Sequence, residues 1–375
     1  MKLNRFSTVA AGIAVASLAL TACGGSSDLT AGSDSNSSAS GAGAASADLS
    51  GNLNGAGSTA QQTAMQAWAT KFQEANPDVT VNYDPVGSGG GREQFLAGGA
   101  TQFAGSDAAL TDEELATAKT RCGGADALDL PVYISPIAVA YNLDGVDTLK
   151  LTADNIAKLF NGTIKNWNDP ALAKDNPDAK LPDLAVTPVH RSDESGTTQN
   201  FTDYLNKAAP SVWTDEPGQV WPVKGGEGAQ GTSGVVQAIQ QGNGTIGYAD
   251  ESQVGDLGKA QVGVGSSFVE VSAESAAKVA EISTPTAGRP AGDLSIDVAR
   301  DTTEAGAYPI ILISYQIVCS QYDDAAQGNL VKAFASYVAS PEGQQAAAEA
   351  AGSAPLSDTL AQKVADSIAL IKGGS

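Results

Sequence analysis

Apolar and polar residues alternate along the chain after residue 50 with two different periods. Val79, Val81 and Tyr83 occupy every second position, which predicts a strand with one buried face. In the stretch 201–205, apolar residues are spaced by three and by four, which predicts one face of a helix. Strand and helix patterns of this kind follow each other over most of the chain. This order predicts an α/β fold.

Two long apolar runs stand out from this alternation. The run at 128–141 contains two prolines and predicts two strands with a crossing point near Ser135, while the run at 308–318 predicts one strand late in the chain. A chain that passes from one domain to a second domain and later returns to the first is typical of two domains joined by a hinge. We therefore expect domain I to contain residues 51–135 and 305–375 and domain II to contain residues 136–304.

Clusters of small and hydroxyl residues occur three times where a predicted strand ends and a predicted helix follows. They read GAGST at 55–59, GSGGG at 87–91 and RSDESG at 191–196, and each helix is expected to begin at a hydroxyl N-cap. Ligands of open α/β sheets lie beyond the carboxyl ends of the strands, where such helix starts meet. A further helix is predicted to begin at 231–234.

The third cluster carries the most specific chemistry. Ser195 is suited to cap the helix, and the residue three positions later is Thr198 rather than the Glu of a capping box. The N–H groups of the first turn therefore face outward with the positive end of the helix dipole. Arg191 adds a forked, permanently charged donor. Together these features predict a pocket for a small oxyanion.

Composition limits the partners of the chain. Its 375 residues suffice for two domains, and its formal net charge of −21 with a pI near 4.2 argues against nucleic acid or an anionic membrane surface as partner. This charge does not argue against a small anion as ligand, because the affinity of a pocket without bulk water depends on the groups that line it.

The N-terminus is predicted to be a targeting segment. Lys2 and Arg5 precede an apolar stretch at 9–20 that is too short for a stable membrane span, and residues 20–23 read LTAC, which resembles a bacterial lipobox. The resemblance implies a signal peptide at 1–22 and lipid on Cys23. The polar stretch 24–50 predicts a flexible tether. The alternative is an ordinary secretory signal with a chance cysteine.

Enzyme chemistry is disfavoured by the residues that are available. His190 is the only histidine and is most simply a strand-end residue, and no G-x-S-x-G nucleophile elbow occurs. Cys122 and Cys319 are too few and too far apart for a zinc motif. In an exported protein these two cysteines either form a disulfide or remain separate buried thiols.

Six stretches, in order along the chain, resemble the phosphate-binding lipoproteins of bacterial phosphate ABC transporters, the PstS-type substrate-binding proteins. They are GAGST at 55–59, VNYDPVGSGGG at 81–91, FAGSDAALTDEE at 103–114, IAKLFNGTIKNWNDP at 156–170, RSDESGTTQNF at 191–201 and GNGTIGYAD at 242–250. The resemblance implies a periplasmic-binding-protein-like fold with two α/β domains and an anion buried in the cleft between them. It implies a ligand set of Thr59, Ala60 through its backbone, Ser88, Asp107, Arg191, Ser195, Gly196 and Thr197.

The resemblance also implies a role and a place in the cell. The chain would capture inorganic phosphate and deliver it to the permease subunits of an ABC transporter, with no enzyme activity, metal or cofactor. A lipoprotein with palmitate on Cys23 would stay on the outer face of the cytoplasmic membrane, attached to the cell membrane through lipid only. An additional adhesion or signalling role stays open.

Asp107 is the residue that decides which anion fits. A carboxylate only accepts hydrogen bonds, so it repels sulfate and molybdate but pairs with an anion that carries a proton, such as phosphate. Phosphite and arsenate remain alternatives for the same reason, and a secreted phosphatase is a more distant one. From local pattern alone, Asp107 is equally a turn residue bonded to its own backbone.

Three positions near the site need comment. Ala60 stands where many relatives carry an aromatic residue, but a backbone N–H serves equally from alanine. Glu194 stands where some relatives have glycine and is expected to point to solvent. Asp193 is expected either to pair with Arg191 and fix its orientation or to be a solvated turn residue.

Overall fold

The computed structural model describes residues 49–374, and strands and helices follow each other there in the predicted α/β order. The predicted signal peptide, Cys23 and the tether up to residue 48 lie outside the described residues. In the part that is described, none of the helices is long and apolar enough to cross a membrane.

The strands of the described part are short except for two in the centre of the main sheet. They are β1 (Gly51–Gly57), β2 (Val79–Asp84), β3 (Phe103–Ser106), β4 (Ala127–Asn142), β5 (Lys150–Leu151), β6 (Thr187–Arg191), β7 (Glu227–Ala229), β8 (Thr245–Asp250), β9 (Gly258–Lys259), β10 (Gln261–Val264), β11 (Ser267–Val269), β12 (Thr284–Pro285), β13 (Ile296–Asp297), β14 (Ile311–Cys319), β15 (Gln321–Tyr322) and β16 (Lys372–Gly373).

The helices connect these strands and close the C-terminal part of the chain. They are α1 (Gln62–Ala75), α2 (Ser88–Ala97), α3 (Asp112–Arg121), α4 (Ala153–Phe160), α5 (Pro170–Asp175), α6 (Gly196–Ala208), α7 (Gly231–Gln241), α8 (Glu251–Val254), α9 (Ala273–Ile282), α10 (Ala325–Ala339), α11 (Pro341–Ala351) and α12 (Asp358–Ala369).

The main sheet consists of two parallel wings joined by an antiparallel centre. Its strand order is β2-β1-β3-β14-β4-β8-β6-β7, with β9 also paired to β4. Strands β1, β2 and β3 are parallel to one another, as are β6, β7 and β8, whereas β14 and β4 run antiparallel to their neighbours. The wings thus present two sets of carboxyl strand ends.

Strand β4 is continuous, so the prediction of two strands at 128–141 is wrong. Its first part, up to Pro136, pairs with β14, and its second part, from Ile137, pairs with β8. A register irregularity opposite Ser314 and Tyr315 leaves Val132 without a direct partner. Proline has no backbone N–H to donate to a neighbouring strand. The strand nevertheless continues past its two prolines, because the bulge lies next to Pro131 and the change of partner lies at Pro136.

The carboxyl ends of both wings meet at the middle of β4. Ser106 at the end of β3 lies opposite Tyr315, which in turn pairs with Pro131 of β4. Asp250 at the end of β8 pairs with Ile137, only six positions further along the same strand. The loops that follow both sets of parallel strands are therefore brought to one region.

The helix starts differ from the prediction in one respect. Helix α1 begins after Gln61, whose side chain makes no cap, and α2 begins after Gly87, which has a left-handed φ of 90°. Of the three predicted clusters, only the third has a hydroxyl N-cap, which is Ser195, and its Oγ accepts from Thr198 N. The other hydroxyls therefore have different partners, described below.

Aromatic packing and one disulfide stabilise the fold around this region. Phe201 lies 4.4 Å from Tyr248 and 4.8 Å from Phe160, between ring centroids, so the predicted helical face at 201–205 is buried. Cys122 and Cys319 form a disulfide that joins the end of α3 to the end of β14. The bridge links residues that are 197 positions apart in the chain.

Candidate functional site

Three hydroxyl groups in the loops after β1, β2 and β6 share one arrangement. Thr59 Oγ1 accepts from Thr232 N at 3.1 Å, Ser88 Oγ accepts from Asp107 N at 3.1 Å, and Ser195 Oγ accepts from Thr198 N at 3.2 Å. A hydroxyl that accepts a backbone N–H keeps its own proton for another partner. All three of these side chains are buried, so Ser88 and Ser195 each keep an O–H donor inside the protein, whereas Thr59 Oγ1 shares a hydrogen bond of 2.9 Å with Thr232 Oγ1 in which either hydroxyl can donate.

Arg191 is held in position by a carboxylate on the following turn. Its Nε and Nη2 donate to the two oxygens of Asp193 at 2.7 and 2.5 Å, and Gly231 N also donates to Asp193 at 3.0 Å. Asp193 thus pairs with Arg191 rather than with solvent. Burial would raise the pKa of Asp193, but the hydrogen bonds and charge of Arg191 outweigh burial and lower it. In the described part of the chain, Arg191 Nη1 has no protein partner.

The start of α6 supplies two backbone donors. Gly196 and Thr197 are the first two helical residues, and their N–H groups donate to no other group among residues 49–374. Both residues are buried, so these donors do not simply face bulk water. With the positive end of the helix dipole, they suit a bound anion.

Asp107 lies opposite this helix start and is itself an acceptor. Its Oδ1 accepts from Ser314 Oγ at 2.8 Å and its Oδ2 from Thr197 Oγ1 at 3.0 Å, while its backbone oxygen accepts from Asn200 Nδ2 at 2.6 Å. The side chain is not a self-bonded turn residue. A carboxylate has about four lone-pair positions, so two neutral donors leave capacity for a further hydrogen bond.

The predicted residues form one connected region. The Cα of Gly196 approaches both Ser88 and Asp107 so closely that an added Cβ would lie 2.7 Å from Ser88 Oγ. On the other side, Gly87 approaches Asp193, and an added Cβ would lie 2.8 Å from its Oδ2. Loops from both wings of the sheet therefore approach each other closely in this region.

Ala60 is the predicted ligand residue whose donor is already engaged. Its N–H donates to Ser58 Oγ at 3.1 Å, in a turn that also engages Gln61 N. The side chain of Gln253 holds the same turn from the opposite wing by donating to Thr59 O at 2.8 Å. An anion would therefore share the Ala60 N–H with Ser58.

Residues 42–342 match the family described as the PBP superfamily domain. The phosphate-binding protein PstS 3 of Mycobacterium tuberculosis is 39% identical over 346 residues, which cover 89% of this chain and 90% of that protein. The chain belongs to the PstS-type proteins of the PBP superfamily. The phosphate-binding protein PstS 2 of the same organism is 36% identical over 384 residues, which cover 98% of this chain and 99% of that protein.

Solved structures show the same fold for this PstS-type chain. A high affinity periplasmic phosphate-binding protein bound with phosphate at pH 8.5 superimposes with a TM-score of 0.69 at 23% identity, covering 84% of this chain and 93% of that one. A putative phosphate ABC transporter substrate-binding protein from Clostridium perfringens, with bound phosphate, gives a TM-score of 0.58 at 18% identity and covers 80% and 98%. The predicted periplasmic-binding-protein-like fold is confirmed.

Two residues that contact the predicted site residues are missing from the sequence prediction. Thr232 Oγ1 lies 2.9 Å from Thr59 Oγ1, at the start of α7, although its cluster at 231–234 follows the same strand-to-helix pattern as the others. Ser314 donates to Asp107 from the middle of β14. A small polar residue within a mostly apolar strand is the signal that could have indicated it.

The remaining titratable residues near the site are structural. His190 stacks on Trp221 with 5.2 Å between ring centroids, which agrees with a strand-end role, and Glu194 is exposed as predicted. Asp250 lies fully buried under the site and accepts from Tyr133 Oη at 3.2 Å, and burial raises its pKa to about 7. No group of three or more His, Cys, Asp or Glu side chains within residues 49–374 is arranged to hold a metal ion.

Proposed function

We propose that this chain captures inorganic phosphate in the space between the two wings of the sheet and delivers it to the permease of an ABC transporter. One observation carries the proposal: the buried acceptor Asp107 lies against Ser88 and the start of α6, which Ser195 caps, and Thr59 adds a further buried hydroxyl that contacts Thr232. Relatives of this chain are named as phosphate-binding proteins. Their names and this donor set agree on a receptor rather than an enzyme.

The donor set suits a small tetrahedral anion. Burying an oxyanion costs many kcal/mol unless each of its oxygens is paired. Hydroxyls and backbone N–H groups provide this pairing without added positive charge, and Arg191 provides one fixed cation whose own charge is balanced by Asp193. The overall charge of −21 does not prevent binding, because the site is buried and its donors act at short range.

Asp107 would select phosphate over sulfate. Phosphate carries at least one proton near neutral pH and can donate it to the carboxylate, whereas sulfate cannot. Sulfate would leave two buried acceptors facing each other, which costs a few kcal/mol and corresponds to about 100-fold discrimination. The hydroxyls of Ser314 and Thr197 hold the carboxylate in place for this contact. Phosphite and arsenate also carry protons, so both remain candidate ligands.

Binding would close a cleft between two lobes, domain I at 51–135 and 305–375 and domain II at 136–304. The contacts that join the wings at the site support this division, since Ser88 and Asp107 come from the first lobe and Gly196 and Thr197 from the second. An anion that touches both sides favours the closed form, and the closed form is the state that a permease could recognise.

The lipid anchor is part of the same proposal. Cys23 follows the lipobox-like residues 20–22 and would carry the diacylglyceryl group and palmitate of a lipoprotein after removal of the signal peptide. The anchor would keep the receptor beside its permease on the outer face of the cytoplasmic membrane.

Calorimetry tests the proposed ligand. The chain without its signal peptide and Cys23 would be unfolded and refolded to remove bound anion and then titrated with phosphate, with and without excess sulfate. We expect one-to-one binding that sulfate does not disturb. Absence of binding heat and of any thermal shift with phosphate would contradict the proposal and direct the search to phosphite and arsenate. Release of phosphate from an ester would favour a phosphatase instead.

Asp107→Asn tests the basis of selectivity. The variant can donate from its amide, so phosphate loses an acceptor while sulfate gains a donor, and we expect the ratio of the two Kd values to fall by about 100-fold or more. Asp129→Asn is a matched control, because Asp129 is also fully buried but pairs with Arg289 outside the site. Unchanged selectivity in a folded Asp107→Asn protein would refute this role.

A further inference from the structure

We propose that Arg300 is a positioning residue of the phosphate site, which acts through Asn200 to hold Asp107 and the first turn of α6 at the spacing that binds the anion. This inference rests on the proposed function, because it assigns a residue outside the ligand shell to the same site.

The side chain of Arg300 is buried and joins three parts of the chain. Its Nε donates to Asp203 at 3.0 Å, its Nη1 donates to the backbone oxygens of Pro309 and Ile311 at 3.2 and 2.6 Å, and its Nη2 donates to Asn200 Oδ1. Only 1% of the side chain is exposed. Four guanidinium N–H bonds to fixed acceptors leave this group little freedom.

The guanidinium determines which way the Asn200 amide faces. A guanidinium only donates, so the amide must present its oxygen to Arg300 and its NH₂ group to the opposite side. There the NH₂ group donates to Asp107 O at 2.6 Å and to Gly196 O at 2.9 Å. Every hydrogen-bonding group of the Asn200 side chain is thereby engaged, and a flipped amide would face Arg300 with its donors.

These contacts hold both sides of the anion site. Asp107 belongs to the loop after β3, and Gly196 begins α6, so one amide group fixes the spacing between the acceptor and the helix start. Arg300 also binds Ile311 at the beginning of β14, three residues before Ser314, whose hydroxyl donates to the Asp107 carboxylate. Arg300 therefore supports the backbone of Asp107 through Asn200, and it supports the Asp107 carboxylate through the start of β14.

Arg300→Lys removes the fork but keeps the charge. A lysine cannot reach Asn200, Asp203 and Ile311 together, so the amide would be free to rotate. Arg300 also lines a cavity of about 320 Å³, from which water could solvate the shorter ammonium group, so we expect the variant to fold. We expect its Kd for phosphate to rise about 10-fold, mainly through faster dissociation in stopped-flow measurements.

Asn200→Asp provides a second variant that keeps the contact to Arg300. Its carboxylate pairs with the guanidinium but faces Asp107 O and Gly196 O with an acceptor instead of two donors. We expect a similar loss of phosphate affinity. In the Asn200→Asp background, Arg300→Lys should cause a smaller loss than in the wild type, because the support through Asn200 is already removed.

Arg289→Lys is the matched control. Arg289 is also an arginine with little exposure, 9% of its side chain, but it pairs with Asp129 and Asp293 and does not contact Asn200. We expect a lower Tm for this variant without a change in Kd. The same Tm measurement on ligand-free Arg300→Lys separates loss of stability from loss of positioning.

The outcomes distinguish this inference from the proposed function. If the wild-type chain does not bind phosphate, the proposed function fails and the inference fails with it. If the wild type binds, an unchanged Kd and dissociation rate in folded Arg300→Lys, or fully additive effects of the two substitutions, would overturn the inference alone. If Arg300→Lys does not fold, Asn200→Asp decides, and wild-type affinity in that variant would overturn it.

Discussion

Gly196 is the position where one added methyl group should prevent phosphate from being enclosed. It is the first residue of α6, and a Cβ there would lie 2.7 Å from Ser88 Oγ, 2.8 Å from Asp107 Cβ and 3.0 Å from the Asp107 carbonyl carbon. The φ of Gly196 is not in the left-handed region, so alanine suits the local backbone. The clash arises only between α6 and the two loops that face it.

The magnitude follows from these distances. Carbon atoms in contact are about 3.5 to 4.0 Å apart, so the two sides must separate by roughly 0.7 to 1 Å. The Thr197–Asp107 hydrogen bond of 3.0 Å would then exceed hydrogen-bonding range. An anion that bridges the same gap would lose its contacts on one side. The loss of one or two hydrogen bonds to a charged group costs about 3 kcal/mol, or roughly 100-fold in Kd.

Calorimetry with Gly196→Ala measures this effect directly. We expect the Kd for phosphate to rise about 100-fold, while the far-ultraviolet circular dichroism of the ligand-free protein stays that of the wild type. Gly234→Ala is a matched control in the first turns of α7, because an added Cβ there would lie 3.7 Å from its nearest neighbours. We expect the control to bind phosphate like the wild type.

Either of two results would refute this reasoning. If Gly196→Ala is folded and binds phosphate with the wild-type Kd, the close approach of α6 to Ser88 and Asp107 is not required for binding. Loss of affinity in both alanine variants would also contradict it, because the effect would then not depend on that contact.

Two further predictions concern stability. Replacing both Cys122 and Cys319 by serine should lower the free energy of unfolding by up to about 5 kcal/mol, since the bridge closes a loop of nearly 200 residues. The Kd for phosphate should stay unchanged. An altered Kd or an unchanged urea midpoint would contradict this prediction. Burial raises the pKa of Asp250 to about 7, so its contribution to stability is fully present below pH 4 and is lost as pH rises through 7. Between pH 5 and pH 8, the free energy of unfolding of Asp250→Asn, measured in urea, should therefore rise by about 3 kcal/mol relative to that of the wild type. A difference between the two proteins that does not change with pH would refute the raised pKa of Asp250.

Local features of the site could be predicted because they depend on neighbours in sequence. A strand that runs directly into a helix accounts for three of these features: the cap at Ser195, the outward N–H groups of Gly196 and Thr197, and the forked side chain of Arg191. The capping box of Thr111 and Glu114 is equally local. Each needs only residues within one turn of each other, so spacing alone is sufficient.

The neighbours of Ala60 and the course of β4 show where local reasoning is incomplete. The Ala60 N–H, which the resemblance implies as a ligand contact, also donates to the neighbouring Ser58 hydroxyl. The prolines in 128–141 predict a break between two strands, yet the strand continues because its partner changes from β14 to β8 at that point. Neither competing partner can be recognised from hydrophobic periodicity.

The sequence by itself determined most of the elements and the chemistry of the helix start at Ser195, and through resemblance it indicated the residues proposed to bind the anion. Only the tertiary structure decided which distant side chains support them. Thr232 is 173 positions from Thr59, and Ser314 is 207 positions from Asp107. Such pairs depend on strand order and register. The burial of the two long apolar strands fixes that order and register only when the whole sheet is assembled. An apolar run carries the same pattern whichever strand it pairs with, so the partners of Asp107 became visible only in the folded chain.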